Sequence, residues 1–251
     1  MTGALALKPG QLKGEILLNL DTEEDDEIDI GCAGGVDVTA SAKFDLNDPK
    51  GETFKIEIKG LQGGHSGMDI IKGLGNSNKL LGRLLFSGLE DQIQLISIDG
   101  GSLRNAIPRE ATATFSVENP SEFLKNAEQL RSEILEEFAS LEKDLIINIE
   151  KTDLSEKALS VEDSKKIIFA INAAHNGVFR MSPDVEGLVE ASNNVARVEL
   201  KNGEIKILNL TRSSVESTKW EVANQLRSAF ESNGLKTEFG GSYPGWKPKP
   251  D

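Results

Sequence analysis

Between residues 53 and 150, hydrophobic and polar positions alternate with the periods of strands and helices. Strands are indicated by alternation with period two, and helices by apolar residues spaced three and four apart. The predicted series is a strand (53–59), a helix (69–86), two strands (92–98 and 111–118), a helix (120–141) and a strand (145–150). This is the split βαβ order of a ferredoxin-like layer.

A second series of elements, between residues 161 and 239, has a similar order. It consists of a helix (161–174), a strand (188–200), an Asn202-Gly203 turn, a strand (205–210), a helix (215–231) and a strand (235–239). Asn-Gly is the preferred pair for a two-residue hairpin. We therefore predict an α+β fold with ferredoxin-like βαββαβ layers in two related halves, residues 49–152 and 153–240.

The first residues follow a different pattern, because a short apolar run at 15–20 is flanked by Gly14 and Asp21. Such a run is typical of a buried strand in an α/β sheet. Asp21 would then stand at the carboxyl end of that strand, where open α/β sheets bind ligands and where a carboxylate suits a divalent metal. A solvated or capping aspartate is the more common alternative.

Composition narrows the class of partner. The chain has 251 residues, 38% of them hydrophobic, one cysteine, Cys32, and a net charge of -13. Its apolar runs are far shorter than the roughly 20 residues that span a bilayer. Nucleic acids and anionic membranes require clustered Lys and Arg, so the charge argues against both as partners. We expect a cytoplasmic protein whose partner is a small molecule or another protein.

One of only two histidines lies among glycines, in the segment Gly63-Gly64-His65-Ser66-Gly67, where a predicted strand gives way to a helix. Glycines allow backbone angles closed to other residues and remove neighbouring side chains, so a bound molecule could approach the imidazole closely. The segment is consistent with a ligand contact by His65. A glycine-rich turn whose histidine caps the helix is the alternative, and the local pattern does not separate the two.

Arg212 directly precedes Ser213, which forms a capping-box pattern with Glu216. A cation at the positive end of a helix is mildly unfavourable unless an anion binds there. The helix end and a bidentate guanidinium could together hold a carboxylate or a phosphate. A surface arginine paired with a nearby glutamate is the alternative.

Two further polar residues have simpler explanations. Asn105, in the loop at 100–108, could donate from its amide to a carboxylate or an oxyanion, but an ordinary turn asparagine explains it more simply. His175 lies near the end of a predicted helix, and we expect it to cap that end by interacting with the helix dipole.

Five segments, in order along the chain, resemble the cytosolic aminoacyl-histidine dipeptidases (Xaa-His dipeptidases, or peptidase D) of the M20 metallopeptidases. They are Leu18-Asn19-Leu20-Asp21-Thr22-Glu23-Glu24, Gly31-Cys32-Ala33-Gly34-Gly35, Gly63-Gly64-His65-Ser66-Gly67, Leu103-Arg104-Asn105-Ala106-Ile107-Pro108-Arg109-Glu110 and Tyr243-Pro244-Gly245-Trp246. The resemblance extends along the whole chain. It implies a hydrolase in which a catalytic domain holds two zinc ions and a lid domain closes over a dipeptide.

The resemblance assigns roles to four residues. Asp21 resembles the family's aspartate ligand to one metal ion. His65 resembles the lid histidine that helps to stabilise the tetrahedral oxyanion. Asn105 and Arg212 resemble substrate-binding residues, with Arg212 holding the free C-terminal carboxylate.

The same resemblance implies a domain organisation and a substrate class. Residues 1–48 are expected to be a remnant of the α/β catalytic domain, 49–240 the lid, and 241–251 the start of the return to the catalytic domain. The expected substrates are Xaa-His dipeptides of the β-alanyl-histidine type, and the expected assemblies include a homodimer.

The chain departs from the family pattern at the metal centre. The family's His-x-Asp motif, bridging aspartate, general-base Glu-Glu pair and C-terminal histidine have no counterpart here. With only His65 and His175 available, a two-metal site cannot be completed from this polypeptide. We therefore expect the chain alone to bind zinc weakly through Asp21 or not at all, and not to hydrolyse dipeptides.

Three interpretations stay open. The chain is a fragment of a metallodipeptidase, or a short protein that retains the lid as a non-catalytic binding or dimerisation module, or an unrelated α+β domain whose glycine-rich turns are only turns. A Glu-Glu pair encoded in frame shortly before Met1, with His-x-Asp further upstream, would establish the first.

Overall fold

The computed structural model describes residues 6–16, 30–153 and 156–248. The chain divides into two compact units, residues 1–30 and 31–251. In the first unit, residues 6–16 contain a turn in which the Gln11 N–H donates to the Lys8 carbonyl at 3.2 Å. Asp21 and most of the predicted strand at 15–20 lie outside the described residues.

The second unit is mixed α+β. Its strands are β1 (Gly34–Lys43), β2 (Glu52–Lys59), β3 (Gly64–His65), β4 (Gln94–Gly101), β5 (Ala106–Ile107), β6 (Ala111–Val117), β7 (Ile146–Lys151), β8 (Gly177–Met181), β9 (Val189–Lys201), β10 (Glu204–Ser213) and β11 (Lys236–Tyr243). Its α-helices are α1 (Ser77–Phe86), α2 (Pro120–Phe138), α3 (Val161–Ala173) and α4 (Glu216–Glu231). None of the helices within the described residues is long and apolar enough to cross a membrane.

Nine of the strands form one large antiparallel sheet. Its order is β11-β1-β10-β9-β4-β6-β2-β7, with β8 pairing along the first part of β9. In the middle of the sheet, β4 pairs with β9 over a short stretch only, Ile98–Gly101 with Arg197–Leu200. The remaining strands, β3 and β5, form a small separate sheet.

One hydrophobic core lies between the sheet and the helices. Along β1, Val36, Val38 and Ala40 are buried, and the polar residues between them face the other side of the sheet. Helix α4 packs on β1 and β10, while α1 packs against α3 and on β2 and β6. The period-two pattern of the strands thus gives the sheet one covered face and one polar face.

Most predicted elements are confirmed, with ends that differ by a few residues. These are the strands predicted at 53–59, 92–98, 111–118, 145–150, 188–200, 205–210 and 235–239, and the helices predicted at 120–141, 161–174 and 215–231. The predicted Asn202-Gly203 turn is also confirmed, since both residues have positive φ angles of 52° and 77°.

The helix predicted at 69–86 begins too early. The structure has a short 3-10 turn, Ile70–Lys72, which ends at Gly73 with a φ of 67°. Helix α1 starts only at Ser77, where the Asn76 side chain accepts a hydrogen bond from the Lys79 N–H at 3.2 Å. The left-handed glycine interrupts the helical path, so the apolar residues before it belong to a loop.

The sequence analysis missed strands β1 and β8 and the two short strands β3 and β5. Strand β1 is rich in alanine, glycine and serine, which weakens its hydrophobic alternation, yet it lies between β10 and β11. Just beyond it, Asn47 and Ala158 exchange two backbone hydrogen bonds of 2.7 and 2.8 Å. Two distant parts of the chain therefore meet beside the end of β1.

The predicted capping box is wrong. Val215 occupies the N-cap position of α4, and Ser213 Oγ accepts from the Val215 N–H at 3.0 Å instead of from a residue inside the helix. The Glu216 carboxylate binds Lys219 and the indole N–H of Trp220 rather than the helix start. The helix thus begins two residues later than the box requires, with Val215 rather than Ser213 at the N-cap.

Candidate functional site

His65 is held by its own loop. It ends the two-residue strand β3, opposite Ala106 of β5. Its backbone N–H donates to Asp69 Oδ2 at 2.7 Å. Hydrogen bonding to Lys72, and then to the His65 backbone, lowers the pKa of Asp69. Asp69 is therefore an ionised acceptor at neutral pH, which fixes the backbone of His65.

The imidazole has a defined orientation. Its Nδ1 accepts hydrogen bonds from the backbone N–H groups of Gly67 and Met68, at 3.3 and 3.2 Å. When Nδ1 of a neutral imidazole is an acceptor, the proton lies on Nε2. This assignment follows from the hydrogen bonds, and it leaves the Nε2–H of His65 as a donor for a ligand.

Arg212 lies near the end of β10, opposite Gly35 on β1 and Ser192 on β9. Its Nη1 donates to the Tyr243 hydroxyl at 3.1 Å. A side chain on Gly35 would meet the tyrosine ring at 2.7–2.8 Å, so the absence of a Cβ there makes room for this contact. Arg212 Nε is buried and has no partner among the described residues.

His65 and Arg212 line the same cavity, which has a volume of about 360 Å³. Gly67 lies between them, because a Cβ at this position would be 3.2 Å from His65 Cε1 and 3.4 Å from Arg212 Cδ. Glu190 and Cys32 also line the cavity. Within the described part of the chain Arg212 forms no ion pair, so its charge is available to an anion entering from the cavity.

Asn105 lies on the neighbouring loop and outside the lining of this cavity. The residue is exposed, and its carbonyl accepts a hydrogen bond from the Ser66 N–H at 2.8 Å. The structure thus brings the loop of Asn105 against the loop of His65. The predicted role of the Asn105 side chain stays a prediction.

A buried asparagine, Asn194, holds this neighbouring loop in place and was not identified from the sequence. Its Nδ2 donates to the carbonyls of Arg104 and Ala106 at 3.1 and 2.8 Å. Its Oδ1 accepts from Asn76 Nδ2 at 3.3 Å. The available signal was the pair Asn193-Asn194 inside a strand, since asparagine is depleted in strands.

Arg104 fastens the same loop to the opposite part of the sheet. Its guanidinium donates to the Asn209 carbonyl at 2.9 Å and to Thr39 Oγ1 at 2.7 Å. Arg104 Nε also lies 3.3 Å from Asp37 Oδ2. Loop 102–105 is therefore attached to β1, β9 and β10 by polar contacts rather than by hydrophobic packing.

The predicted capping role of His175 is filled by another residue. Lys79 Nζ donates to the carbonyls of Ile171, Asn172 and Ala174, at 2.7, 2.9 and 2.7 Å, at the C-terminal end of α3. Burial lowers the pKa of Lys79 to about 8, so the ammonium is still mostly charged at neutral pH. His175 Nε2 is buried without a partner among the described residues.

We expect acid to destabilise the fold through His175. Burial lowers its pKa below the ordinary value of 6.5 and outweighs the backbone groups of Gly177 and Val178, which raise it; repulsion from Lys79 lowers it further. The unfolded chain therefore takes up this proton first as the pH falls. The stability that the neutral His175 contributes is fully present above pH 6.5, and it is lost as the pH falls through the lower pKa of the folded state.

Urea unfolding between pH 8 and about 5 tests this expectation. Between pH 8 and about 5, the unfolding free energy of the wild type should fall by more than that of His175→Gln. Carboxylates titrate in both proteins, so they cancel in this comparison. A difference independent of pH would contradict the prediction.

Comparison with known proteins shows what this chain is similar to. Residues 56–145 match the M20 peptidase dimerisation domain. The chain is 43% identical, over 253 residues, to the cytosol non-specific dipeptidase of Escherichia coli (strain K12), covering 99% of this chain and 52% of that protein. Aminoacylhistidine dipeptidase from Vibrio alginolyticus has a similar structure, with 41% identity and a TM-score of 0.91 over 100% of this chain and 52% of that one. The chain spans about half the length of the relatives it matches.

Proposed function

From the relationship of this chain to M20 dipeptidases along its whole length, we propose that it forms the substrate-clamping part of a dipeptidase. The observation that carries the proposal is the cavity shared by His65 and Arg212, with Gly67 between them. A neutral N–H donor and a guanidinium in one cavity complement the carbonyl oxygen and the free carboxylate of a short peptide.

Each candidate residue has a proposed role toward that peptide. Arg212 binds the C-terminal carboxylate, because its Nε is buried without a partner in the described part of the chain. His65 donates its Nε2–H to the scissile carbonyl oxygen, and this hydrogen bond strengthens as negative charge develops there. Asn105 binds the substrate from the loop beside His65. The proposed substrates are Xaa-His dipeptides.

Two zinc ions, implied by the family resemblance, would supply Lewis-acid chemistry when bound. Asp21 is the proposed ligand within this chain, and it lies outside the described residues. The residues that the structure describes contain no group of three or more His, Cys, Asp or Glu side chains that could hold a metal ion. The described residues therefore do not fit a two-zinc centre, and we propose that the chain is inactive alone.

We also propose that the large sheet consists of two ferredoxin-like halves. One half is β2-α1-β4-β6-α2-β7, with strand order β7-β2-β6-β4, and the other is β1-α3-β9-β10-α4-β11, with strand order β11-β1-β10-β9. In each half the first strand lies between the third and the fourth. The first half is then inserted in the chain between β1 and α3. The lid is proposed to cover residues 49–240, and β1 adds one strand to its sheet from outside that range.

The family match favours a second role for the same domain. A chain whose residues 56–145 match a dimerisation domain is proposed to form a homodimer, in addition to binding a dipeptide. The alternative of a non-catalytic binding or dimerisation module shares this property. A cytoplasmic location is proposed from the resemblance and from the name of the Escherichia coli relative.

The proposed clamp is tested by titrating the purified chain with an Xaa-His dipeptide and with its C-terminal amide. Arg212→Met should weaken binding of the free dipeptide on the order of tenfold or more, because a charge-assisted contact to the carboxylate is lost. The amide should bind as weakly to the wild type as the free dipeptide binds to the variant. Calorimetry or chemical shift changes measure both.

Arg83→Met serves as the matched control. Arg83 lies on α1 and pairs with Glu137, away from the cavity, so its replacement should leave dipeptide binding unchanged. Equal affinity for the free dipeptide and its amide would refute the assignment of Arg212 as the carboxylate contact.

A further inference from the structure

A single buried carboxylate, Glu142, bonds to two points of the chain that flank the His65 loop. Glu142 Oε2 accepts from the Gln62 N–H at 2.8 Å, and Oε1 accepts from the Gly75 N–H at 2.7 Å. The residue is only 3% exposed and lies in the connection between α2 and β7. Among the described residues it has no basic partner, so the two backbone groups are what compensate its charge.

Glu142 thereby closes residues 63–74 into a loop. This segment contains Gly63, Gly64, Gly67 and Gly73, and glycines have the greatest backbone freedom to lose on ordering. Closing so flexible a segment costs conformational entropy, and contacts at its two ends offset that cost. Glu142 provides both contacts with one side chain.

At the second end of the loop, Gly75 packs tightly against Leu61 and Glu142. A Cβ on Gly75 would lie 2.6 Å from Leu61 Cδ2 and 3.4 Å from Glu142 Oε1. Only a residue without a side chain lets the backbone approach this carboxylate while Leu61 stays in place. The position of the loop end is therefore set by Glu142 and Leu61 together.

The closed loop carries both hydrogen bonds to the imidazole and one bond to the His65 backbone, while β5 and the Asn105 carbonyl hold the same stretch from outside the loop. Asp69 bonds the backbone of His65, and the N–H groups of Gly67 and Met68 bond its Nδ1. All of these groups lie between the two ends that Glu142 holds. A displacement of either end would change the angle between the Gly67 and Met68 N–H groups and the ring.

We propose that Glu142 is a positioning residue for His65, which fixes the Nε2–H tautomer and the direction of the ring by closing the loop at both ends. Glu142 does not reach the cavity that His65 and Arg212 line. The importance of this role for catalysis rests on the proposed function. The effect on the imidazole can be measured without substrate.

The test uses Glu142→Gln in the full chain, followed by nitrogen NMR of the imidazole and by amide hydrogen exchange. A carboxamide accepts from one of the two N–H groups but turns its own N–H₂ toward the other. We expect His65 to change from one Nε2–H tautomer to a mixture, and the Gly67 and Met68 amides to exchange on the order of tenfold faster. The chain has two histidines, so the spectrum is simple to assign.

Glu137→Gln is the control, because Glu137 is on α2 but is exposed and bonds Arg83. It should leave the His65 spectrum unchanged. Gly75→Ala provides a second variant that keeps the carboxylate and displaces the loop end through Leu61, and it should alter His65 in the same direction.

An unchanged His65 spectrum in both Glu142→Gln and Gly75→Ala would overturn the proposal. The result is independent of the dipeptide titration. Altered His65 signals together with dipeptide binding that does not depend on Arg212 would support the positioning role of Glu142 and reject the proposed function.

Discussion

Replacing Asn194 by aspartate is expected to destabilise the chain by about 3 kcal/mol or more. The substitution removes both N–H groups that bond the Arg104 and Ala106 carbonyls, and it places a carboxylate oxygen against them. Asn194 is fully buried, so water cannot replace the lost partners. The loop that carries Asn105 would lose its attachment to β9.

Urea unfolding at several pH values measures this effect. Burial raises the pKa of the new carboxyl group in the folded state, so the penalty should shrink as the pH falls and the group is protonated. Asn224→Asp makes the same chemical change at an exposed position on α4 and should change stability by less than about 0.5 kcal/mol. A penalty at Asn194 no larger than that of this control would show that the asparagine contacts are unimportant.

Replacing Gly101 by alanine is expected to cost about 3–5 kcal/mol. Gly101 ends β4 with a φ of 73°, a conformation that disfavours any side chain. The added Cβ would also lie 1.9 Å from the Ala196 carbonyl oxygen, which is backbone in the middle of β9. The clash can be relieved only by separating β4 from β9, at the short junction between the two parts of the sheet.

Gly187→Ala separates the two contributions. Gly187 has a similar φ of 76°, but a Cβ there would meet nothing within 4 Å. Its replacement should cost only the backbone strain, about 1–2 kcal/mol. Chemical unfolding measures the loss of unfolding free energy in each variant, and the difference between the two losses is the cost of the clash alone. Equal losses would mean that β4 and β9 can move apart at no cost.

Local periodicity was sufficient to predict most of the secondary structure. The strands around Ile56 and Phe115 and the long helix at Pro120 have strong apolar patterns that tertiary packing did not override. Strand β1 was missed because Ala40 and Gly34 carry little hydrophobic signal, and its burial depends on neighbours from the other end of the chain. Its assignment needed long-range pairing, which a local pattern does not contain.

The candidate site was predictable only in part. Glycines marked His65, and the position before a predicted helix start marked Arg212, but their common cavity depends on how the loop after β2 meets the end of β10. The contacts of Asn194 and Glu142 involve backbone groups far away in sequence. Such contacts leave no periodic signal, because each requires one polar residue in one place.

The backbone bridge between Asn47 and Ala158 has a consequence for the order of folding. It brings together the two ends of the segment that contains β2 to β7, so this segment can complete its own pairings while the ribosome is still adding residues beyond it. Strand β1, in contrast, has its partners far away, with Val38 and Asn209 separated by 171 residues. During synthesis β1 therefore stays unpaired until β10 and β11 have been made, and it is the strand of the sheet that waits longest for its partners.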